Sequence, residues 1–267
     1  MFYGIIREEL FYIEDYCDFI NENSKNVINE QNIDIIKENL NKDTGSGAKL
    51  HPIYILLIHG ETAFDHVAQV LVRKKQTYWH AALSFGPSLS TCYSFRGGMS
   101  STTVNPHFSG GLALESLDFY KSCSPKGRMQ VGVVFVNNSK FRKIKEALNY
   151  FLNNKEKTRY NFLNLLFSLV GIPTANGLKL NQICTTFVDT VLKYAHINIS
   201  DKQINLTKAD DMKHTDNRKG YFKVFEGEIV DYKEDLVIKK SEKLANTLKN
   251  DYFKHNKDVE AEDITVK

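Results

Sequence analysis

One cysteine in the sequence stands where a thiol can act as a nucleophile. Cys184 follows the polar residues Asn181 and Gln182 and directly precedes Thr185–Tyr194, whose strongly amphipathic pattern predicts a helix. A helix start offers free N–H groups and the positive end of the helix dipole. Both favour a thiolate over a thiol and can stabilise an oxyanion. The position indicates acyl-transfer chemistry, with a small buried cysteine as the alternative.

A thiol nucleophile needs a base, and His80 is the second residue that suits this chemistry. It lies in Tyr78–Phe85, whose alternation predicts a strand with His80, Ala82 and Ser84 on one face. A histidine and a cysteine that lie about a hundred residues apart can meet in the fold. The alternative to a catalytic base is a structural histidine whose hydrogen bonds are satisfied at a strand edge. The residues alone do not select this pair from four cysteines and eight histidines.

The elements around these residues predict three regions. We expect an N-terminal helical segment with its linker over 1–47, a domain over 48–232 and a charged tail over 233–267 that is helical and frays into disorder. The region 96–127 is rich in glycine and serine and predicts a long loop. Strands are predicted at 52–58, 78–85, 90–95, 131–136 and 220–230, and helices at 63–75, 141–152, 160–170 and 185–194.

Composition narrows the classes of function. A hydrophobic share of 42% is enough for a core, and a net charge of +3 gives no footprint for nucleic acid. The N-terminus has no signal-peptide pattern, so the chain is expected to be cytoplasmic at synthesis. No apolar stretch approaches the ~20 residues that span a bilayer. We therefore expect neither a nucleic-acid partner nor a membrane span.

Metal binding is not expected either. The four cysteines form no CxxC pair, which argues against a zinc cluster. His59 and His66 enclose Glu61 and Asp65, but Gly60 and Thr62 indicate that the helix begins only after His59, so the two imidazoles do not share a helical face. We expect no metal and no other cofactor.

Short motifs follow one another in a set order between Ile53 and about Met212. They are the apolar strand Tyr54–Ile58, Thr62 before a helix, Trp79–Ser84, Cys92–Phe95, Gly110-Gly111 before Glu115 and Tyr120, Tyr160–Leu163, Ile183–Val188, Ala195–Ile197 and Leu206–Asp211. This order resembles the circularly permuted NlpC/P60 branch of papain-like enzymes, in which the histidine strand precedes the cysteine helix. The resemblance implies an α+β fold, with an antiparallel sheet packed against helices, and selects Cys184 and His80 as nucleophile and base.

The resemblance also implies supporting residues. Family members hold the imidazole with a polar residue on the strand after the histidine strand, and Ser94 occupies that place here as a weak third member. Gln182 is a candidate oxyanion donor, with a surface amide as the alternative. Tyr160 and Thr185 are candidates for the pocket, and for Tyr160 a core aromatic is the alternative.

Two positions depart from the family pattern. Ile183 stands where an aromatic residue is usual, and Thr186 replaces an acidic or amide residue beside the nucleophile. The second change could alter the pocket.

The implied function is a thiol-dependent hydrolase, an amidase or endopeptidase, that cleaves a peptide or acyl substrate through a thioester. A cell-wall peptide is the first expectation. The alternative is a structural component of a phage virion or assembly that keeps the fold with little or no catalysis. The weak third residue and Thr186 favour this alternative, and the segment 1–47 would provide the contacts with assembly partners.

Overall fold

The computed structural model describes residues 37, 38, 40, 50–59, 78–100, 107–161, 180–202, 207–213 and 220–262; at 98–100, 107–109 and 249–262 it describes the backbone alone. The chain divides into two compact units, Met1–Tyr232 and Lys233–Lys267. The predicted helix at 63–75, most of the one at 160–170 and nearly all of the N-terminal segment lie outside the described residues.

The described part of the first unit is built on a six-stranded antiparallel sheet. The described strands, numbered along the chain, are β1 (His51–His59), β2 (His80–Ser84), β3 (Cys92–Ser100), β4 (His107–Glu115), β5 (Arg128–Val136), β6 (Arg159–Tyr160), β7 (Asn181–Gln182) and β8 (Tyr221–Glu228). The order of the strands in the six-stranded sheet is β4-β3-β2-β1-β5-β8. A separate two-stranded parallel sheet pairs β6 with β7.

Strand β1 lies at the centre of the six-stranded sheet. Its residues from Ile53 to Ile58 are all buried, which an unbroken apolar run requires because successive side chains point to opposite faces. The strand pairs with β2 on one side and β5 on the other. In this register Ile58 lies opposite His80, so the first residue of β2 is held against the last part of the central strand.

The described helices are α1 (Leu117–Cys123), α2 (Asn138–Asn153) and α3 (Cys184–Tyr194) in the first unit, and α4 (Glu234–Glu262) in the second. Helix α2 begins after Asn137, whose side chain accepts a hydrogen bond from the Lys140 N–H. Short 3₁₀ turns lie at Lys155–Lys157, Ala209–Met212 and Ile229–Asp231. No helix in the described part of the chain is long and apolar enough to cross a membrane.

Helices α2 and α3 pack on one face of the six-stranded sheet through aromatic side chains. Phe187 of α3 lies 5.0 Å from Phe95 of β3 and 5.1 Å from Phe151 of α2, measured between ring centroids. All three rings are fully buried. This contact fixes the helix that begins with Cys184 against the strands next to His80, and the fold is α+β, as predicted.

The prediction of a long loop over 96–127 is wrong. Strand β3 continues to Ser100, β4 follows, and α1 occupies much of the remainder. The glycines serve close packing between strands. A Cβ on Gly110 would lie 2.2 Å from the carbonyl oxygen of Arg96, and one on Gly111 would lie 2.5 Å from Thr158 Oγ1. Glycine is usually a loop signal, but here it permits the backbones to approach.

Other predicted elements are confirmed with small shifts of their ends. The strands around 52–58, 78–85, 90–95, 131–136 and 220–230 and the helices at 141–152 and 185–194 are present. The helix predicted at 160–170 is wrong at its start, because Arg159 and Tyr160 form β6. The charged tail forms a helix, α4, over Glu234–Glu262, in line with the charged helix predicted there.

Candidate active site

Cys184 is the first residue of α3. Ile183 before it has an extended backbone, and the first intrahelical hydrogen bond runs from the Phe187 N–H to the Ile183 carbonyl oxygen at 2.9 Å. The N–H groups of Cys184, Thr185 and Thr186 therefore have no acceptor within the helix. These donors and the helix dipole lie beside the thiol, as the sequence predicts.

Thr186 organises this helix start. Its hydroxyl oxygen accepts a hydrogen bond from the Ile183 N–H at 3.0 Å, and its hydroxyl donates to Gln182 Oε1 at 2.6 Å. This is the part that glutamate or glutamine plays at the third position of a capping box. Thr186 thus caps the start of the helix that carries Cys184.

Cys184 and His80 lie together in the structure. The Cys184 thiol donates to the carbonyl oxygen of Trp79, the residue before His80, at 3.7 Å. Cys184 is also among the groups that raise the pKa of His80, so the thiol and the imidazole are neighbours. Cys184 is 3% exposed, whereas the His80 side chain is 24% exposed. Solvent therefore meets the pair mainly at the imidazole.

The residue that holds the imidazole most strongly is Glu115, at the end of β4. Its Oε2 lies 2.8 Å from His80 Nε2. Ser94 is 3.1 Å from the same nitrogen, but its hydroxyl donates to the Ala81 carbonyl oxygen at 2.9 Å. Since serine has one hydroxyl proton, Ser94 acts towards His80 as a second, neutral acceptor. Ser94 therefore contacts the imidazole as predicted, and Glu115 is a buried carboxylate at the same nitrogen that the prediction did not include.

Glu115 reaches His80 diagonally across the sheet. In the β3–β4 register, Ser94 lies opposite Ala113 and Glu115 lies opposite Cys92. Glu115 is thus two residues beyond the position opposite Ser94 but on the same face. The small serine side chain leaves room for the longer carboxylate. The sequence motif contained Glu115, but the loop predicted over 96–127 hid its strand position.

A tyrosine from the next helix completes the surroundings of Glu115. Ser116 caps α1 by accepting from the Phe119 N–H at 3.1 Å, and the helix turns Tyr120 back onto the strand end. The Tyr120 hydroxyl donates to Glu115 Oε2 at 2.5 Å, the same oxygen that faces His80. The Arg96 guanidinium lies 4.4 Å from the centre of the Phe119 ring.

These neighbours decide the charge of Glu115. Burial by itself would raise the pKa of this carboxyl, but the positive charge and hydrogen bond of His80 outweigh burial. The charge of Arg96 and the hydrogen bond from Tyr120 act in the same direction. The pKa of Glu115 is therefore below its ordinary value, and the buried group is an anion at neutral pH.

His80 has the complementary shift. Burial alone would lower the pKa of the imidazole, but the charge of Glu115 and the charge and hydrogen bond of Cys184 raise it well above its ordinary value. Because Nε2 faces Glu115, Nδ1 is the ring nitrogen left to exchange a proton with Cys184. A thiol, an imidazole and a carboxylate thus lie next to one another.

The predicted pocket residues have different surroundings. Gln182 is buried, and its amide oxygen is bound by Thr186, which orients the amide group. The Thr185 hydroxyl is buried and donates to the Thr207 carbonyl oxygen at 2.8 Å. Tyr160 lies opposite Gln182 in the β6–β7 pair and is half-buried against the core, in line with a core aromatic.

Among the described residues, no group of three or more histidine, cysteine, aspartate or glutamate side chains is arranged to hold a metal. Of the four residues considered for metal binding, His59 alone belongs to that part of the chain.

The fold and site define a class: an α+β protein that places a cysteine at a helix start beside a histidine and a buried glutamate. No protein-family model, no curated protein and no solved structure matches the chain. The likeness to NlpC/P60 enzymes thus depends on the order of short motifs in the sequence and stays a prediction.

Proposed function

We propose that the protein is a thiol-dependent hydrolase with Cys184 as nucleophile, His80 as base and Glu115 as the group that orients the imidazole. The observation that carries the proposal is the 2.8 Å contact between the buried Glu115 carboxylate and His80, with the Cys184 thiol bound to the carbonyl oxygen of the residue before His80. A histidine satisfied only at a strand edge would not need both a buried anion on Nε2 and a thiol beside its ring. Such chains of groups with shifted pKa values are typical of active sites.

The reaction follows from the geometry. His80 accepts the thiol proton of Cys184, and the thiolate sulfur bonds to the acyl carbon of the substrate. The N–H groups at the start of α3 stabilise the negative charge on the acyl oxygen. His80 then gives its proton to the leaving amine or alcohol, and the C–N or C–O bond breaks to leave a thioester. Water attacks the thioester while His80 takes its proton, and the released thiolate is protonated again.

Glu115 supports the proton transfers of His80 without giving up its own charge. An anion on Nε2 keeps that nitrogen protonated and directs Nδ1 towards Cys184. The imidazolium that forms during attack is stabilised by the same charge.

The substrate class comes from the resemblance. We infer that the scissile bond is an amide in a cell-wall peptide. The alternative of a virion component without catalysis rested on a weak third residue and on Thr186. A buried carboxylate on His80 and an intact helix cap at Thr186 weaken both arguments.

The first test is formation of the acyl-enzyme. Incubation with p-nitrophenyl acetate should acetylate Cys184, detected as a mass increase on the peptide that contains it, together with a burst of nitrophenol. Cys184→Ala should abolish the burst, and His80→Ala should slow it by about 10²–10⁴-fold. Cys92→Ala is the matched control, because Cys92 is also buried and free. Equal acetylation of Cys92 and Cys184, or a burst that survives Cys184→Ala, would contradict the proposal.

The second test addresses the substrate. Purified peptidoglycan treated with the wild-type chain should release new amino groups and shortened stem peptides, whereas Cys184→Ala should not. If acetylation occurs but peptidoglycan is unchanged, the hydrolase survives and the cell-wall substrate is wrong.

A further inference from the structure

One short segment makes hydrogen bonds to both elements that carry the proposed catalytic pair. Residues 207–213, which we call the strap, take no part in the proposed chemistry. The strap contacts α3, which begins with Cys184, and the residue two positions before His80.

On the side of α3, two hydrogen bonds hold the strap. Thr185, next to Cys184, donates its hydroxyl to the Thr207 carbonyl oxygen at 2.8 Å. Thr207 in turn donates its own hydroxyl to Asp189 Oδ2 at 2.8 Å. Thr207 and Asp189 are fully buried. The strap is thus fixed to the first one and a half turns of the nucleophile helix, where water does not compete for the bonds.

On the side of His80, one hydrogen bond holds the strap. The backbone N–H of Tyr78 donates to Asp210 Oδ1 at 2.9 Å. The next residue, Trp79, already bonds to the Ile58 carbonyl oxygen of the central strand. Asp210 therefore binds the chain at the point where it enters β2, immediately before the residue whose carbonyl oxygen accepts the Cys184 thiol.

The strap has a fixed shape around Asp210, the residue that binds the Tyr78 N–H. Its centre is the 3₁₀ turn Ala209–Met212, capped by Asp211, whose carboxylate accepts from the Lys208 N–H at 2.9 Å. Ala209 and Met212 are buried in the hydrophobic core. A turn that is capped and anchored in the core cannot stretch without loss of these contacts, so it acts as a spacer of fixed size.

We propose that the strap sets the distance and orientation between Cys184 and His80, with Thr207 and Asp210 as positioning residues. This inference rests on the proposed function. A shift of about 1 Å between reacting groups can cost about 10²-fold in rate. Because Cys184 and His80 lie on elements far apart in sequence, a bridge between those elements limits such shifts.

The test compares variants that release one attachment each. Asp210→Ala removes the acceptor for the Tyr78 N–H, whereas Asp210→Asn keeps an acceptor oxygen at the same place. Thr207→Val keeps the volume and the carbonyl acceptor but removes the hydroxyl bound to Asp189. We expect Asp210→Ala and Thr207→Val to slow acetylation of Cys184 by p-nitrophenyl acetate by about 10–100-fold. Asp210→Asn should recover most of the rate, and Asp235→Ala, at an exposed position of α4, is the control.

Rates are measured per folded molecule, well below each melting temperature, and as a function of pH. A looser contact with Cys184 should move the His80 limb of the pH profile to lower pH, because Cys184 contributes to the raised pKa of His80. A strap with a structural role alone would lower the melting temperature and leave the rate and its pH profile unchanged. Rates within twofold of wild type in both Asp210→Ala and Thr207→Val would overturn the inference. Failure of the wild type to acetylate would overturn the proposed function instead.

Discussion

Two buried carboxylates, Glu115 at the site and Asp189 in α3, have the same pattern of hydrogen bonds. Glu115 Oε2 faces His80 at 2.8 Å and accepts from the Tyr120 hydroxyl at 2.5 Å. Asp189 Oδ2 accepts from the Lys193 ammonium at 2.7 Å and from the Thr207 hydroxyl at 2.8 Å. In each case one cation and one hydroxyl bind a single oxygen. Yet the pKa of Glu115 is lowered and that of Asp189 is raised.

The difference lies in the remaining charges. Burial is the largest influence on both groups and raises both pKa values. At Glu115, His80 and the additional charge of Arg96 overcome it. At Asp189, the bonds from Lys193 and Thr207 do not, and the like charge of Asp211 adds to burial. Asp189 Oδ1 is also buried without a partner among the described residues.

Two carboxylates with the same pattern of hydrogen bonds can therefore have pKa values shifted in opposite directions. Glu115 is surrounded so that it stays ionised, which is what an orienting group for a catalytic imidazole needs. Asp189 ties the strap to α3, a task that needs an acceptor oxygen and no permanent charge. The carboxylate of the proposed site is thus recognised by its charges rather than by its burial.

The largest effect is expected from Glu115→Gln. The glutamine keeps an acceptor for Nε2 but removes the charge, so the acetylation rate of Cys184 should fall by about 10²–10⁴-fold. Asp189→Asn keeps the acceptor for Thr207 and should cause a much smaller loss. Burst kinetics with p-nitrophenyl acetate measure both, and equal losses would remove the distinction between the two carboxylates.

The second effect concerns stability. His80→Ala leaves the Glu115 anion buried without its main cation, and we expect the free energy of unfolding at pH 7 to fall by about 3 kcal/mol. Lys193→Ala should cost less, because Asp189 has a raised pKa and takes up a proton more readily. Urea denaturation of the two variants beside wild type gives the comparison. A larger loss for Lys193→Ala would show that the roles are reversed.

The third effect is the pH dependence of stability, which should have opposite sign for the two groups. Glu115 has a lowered pKa in the folded state, so its stabilisation is present above the ordinary carboxyl pKa and is lost as pH falls through the folded value. Asp189 has a raised pKa, so the folded chain loses stability as pH rises from the ordinary carboxyl pKa through that raised value.

Unfolding free energies measured across the acid range test these signs. Glu115→Gln should flatten the loss of stability at low pH, whereas Asp189→Asn should remove the decrease that accompanies rising pH. Identical slopes in the two variants would mean that the two carboxylates titrate alike.

The smallest effect is expected from Tyr120→Phe. The change removes one hydrogen bond to the ionised carboxylate and should lower the free energy of unfolding by about 1.5 kcal/mol. It should also raise the pKa of Glu115, because that hydrogen bond favours the anion. Tyr150→Phe is the matched control at an exposed tyrosine. Equal stability in the two variants would mean that Tyr120 does not hold Glu115.

Local patterns in the sequence predicted most of the described elements, and the resemblance selected two of the three side chains of the proposed site. The apolar run of β1, the alternation around His80 and the amphipathic pattern after Cys184 are patterns of neighbouring residues. The three elements that they predict are present. The position of Cys184 at a helix start follows from the same local signals.

Two features became visible only in the tertiary structure: Glu115 as the third side chain of the proposed site, and the contacts of the strap. Glu115 reaches His80 because β4 pairs with β3 in one register and because α1 turns Tyr120 back onto it. The glycines that permit this pairing read as a loop, since a sequence does not distinguish a flexible glycine from one that makes room for another backbone. The strap likewise joins residues far apart in the chain. The charges and distances that arise from such long-range contacts leave no local pattern in the sequence. They distinguish Glu115, which orients the imidazole in the proposed mechanism, from the buried Asp189.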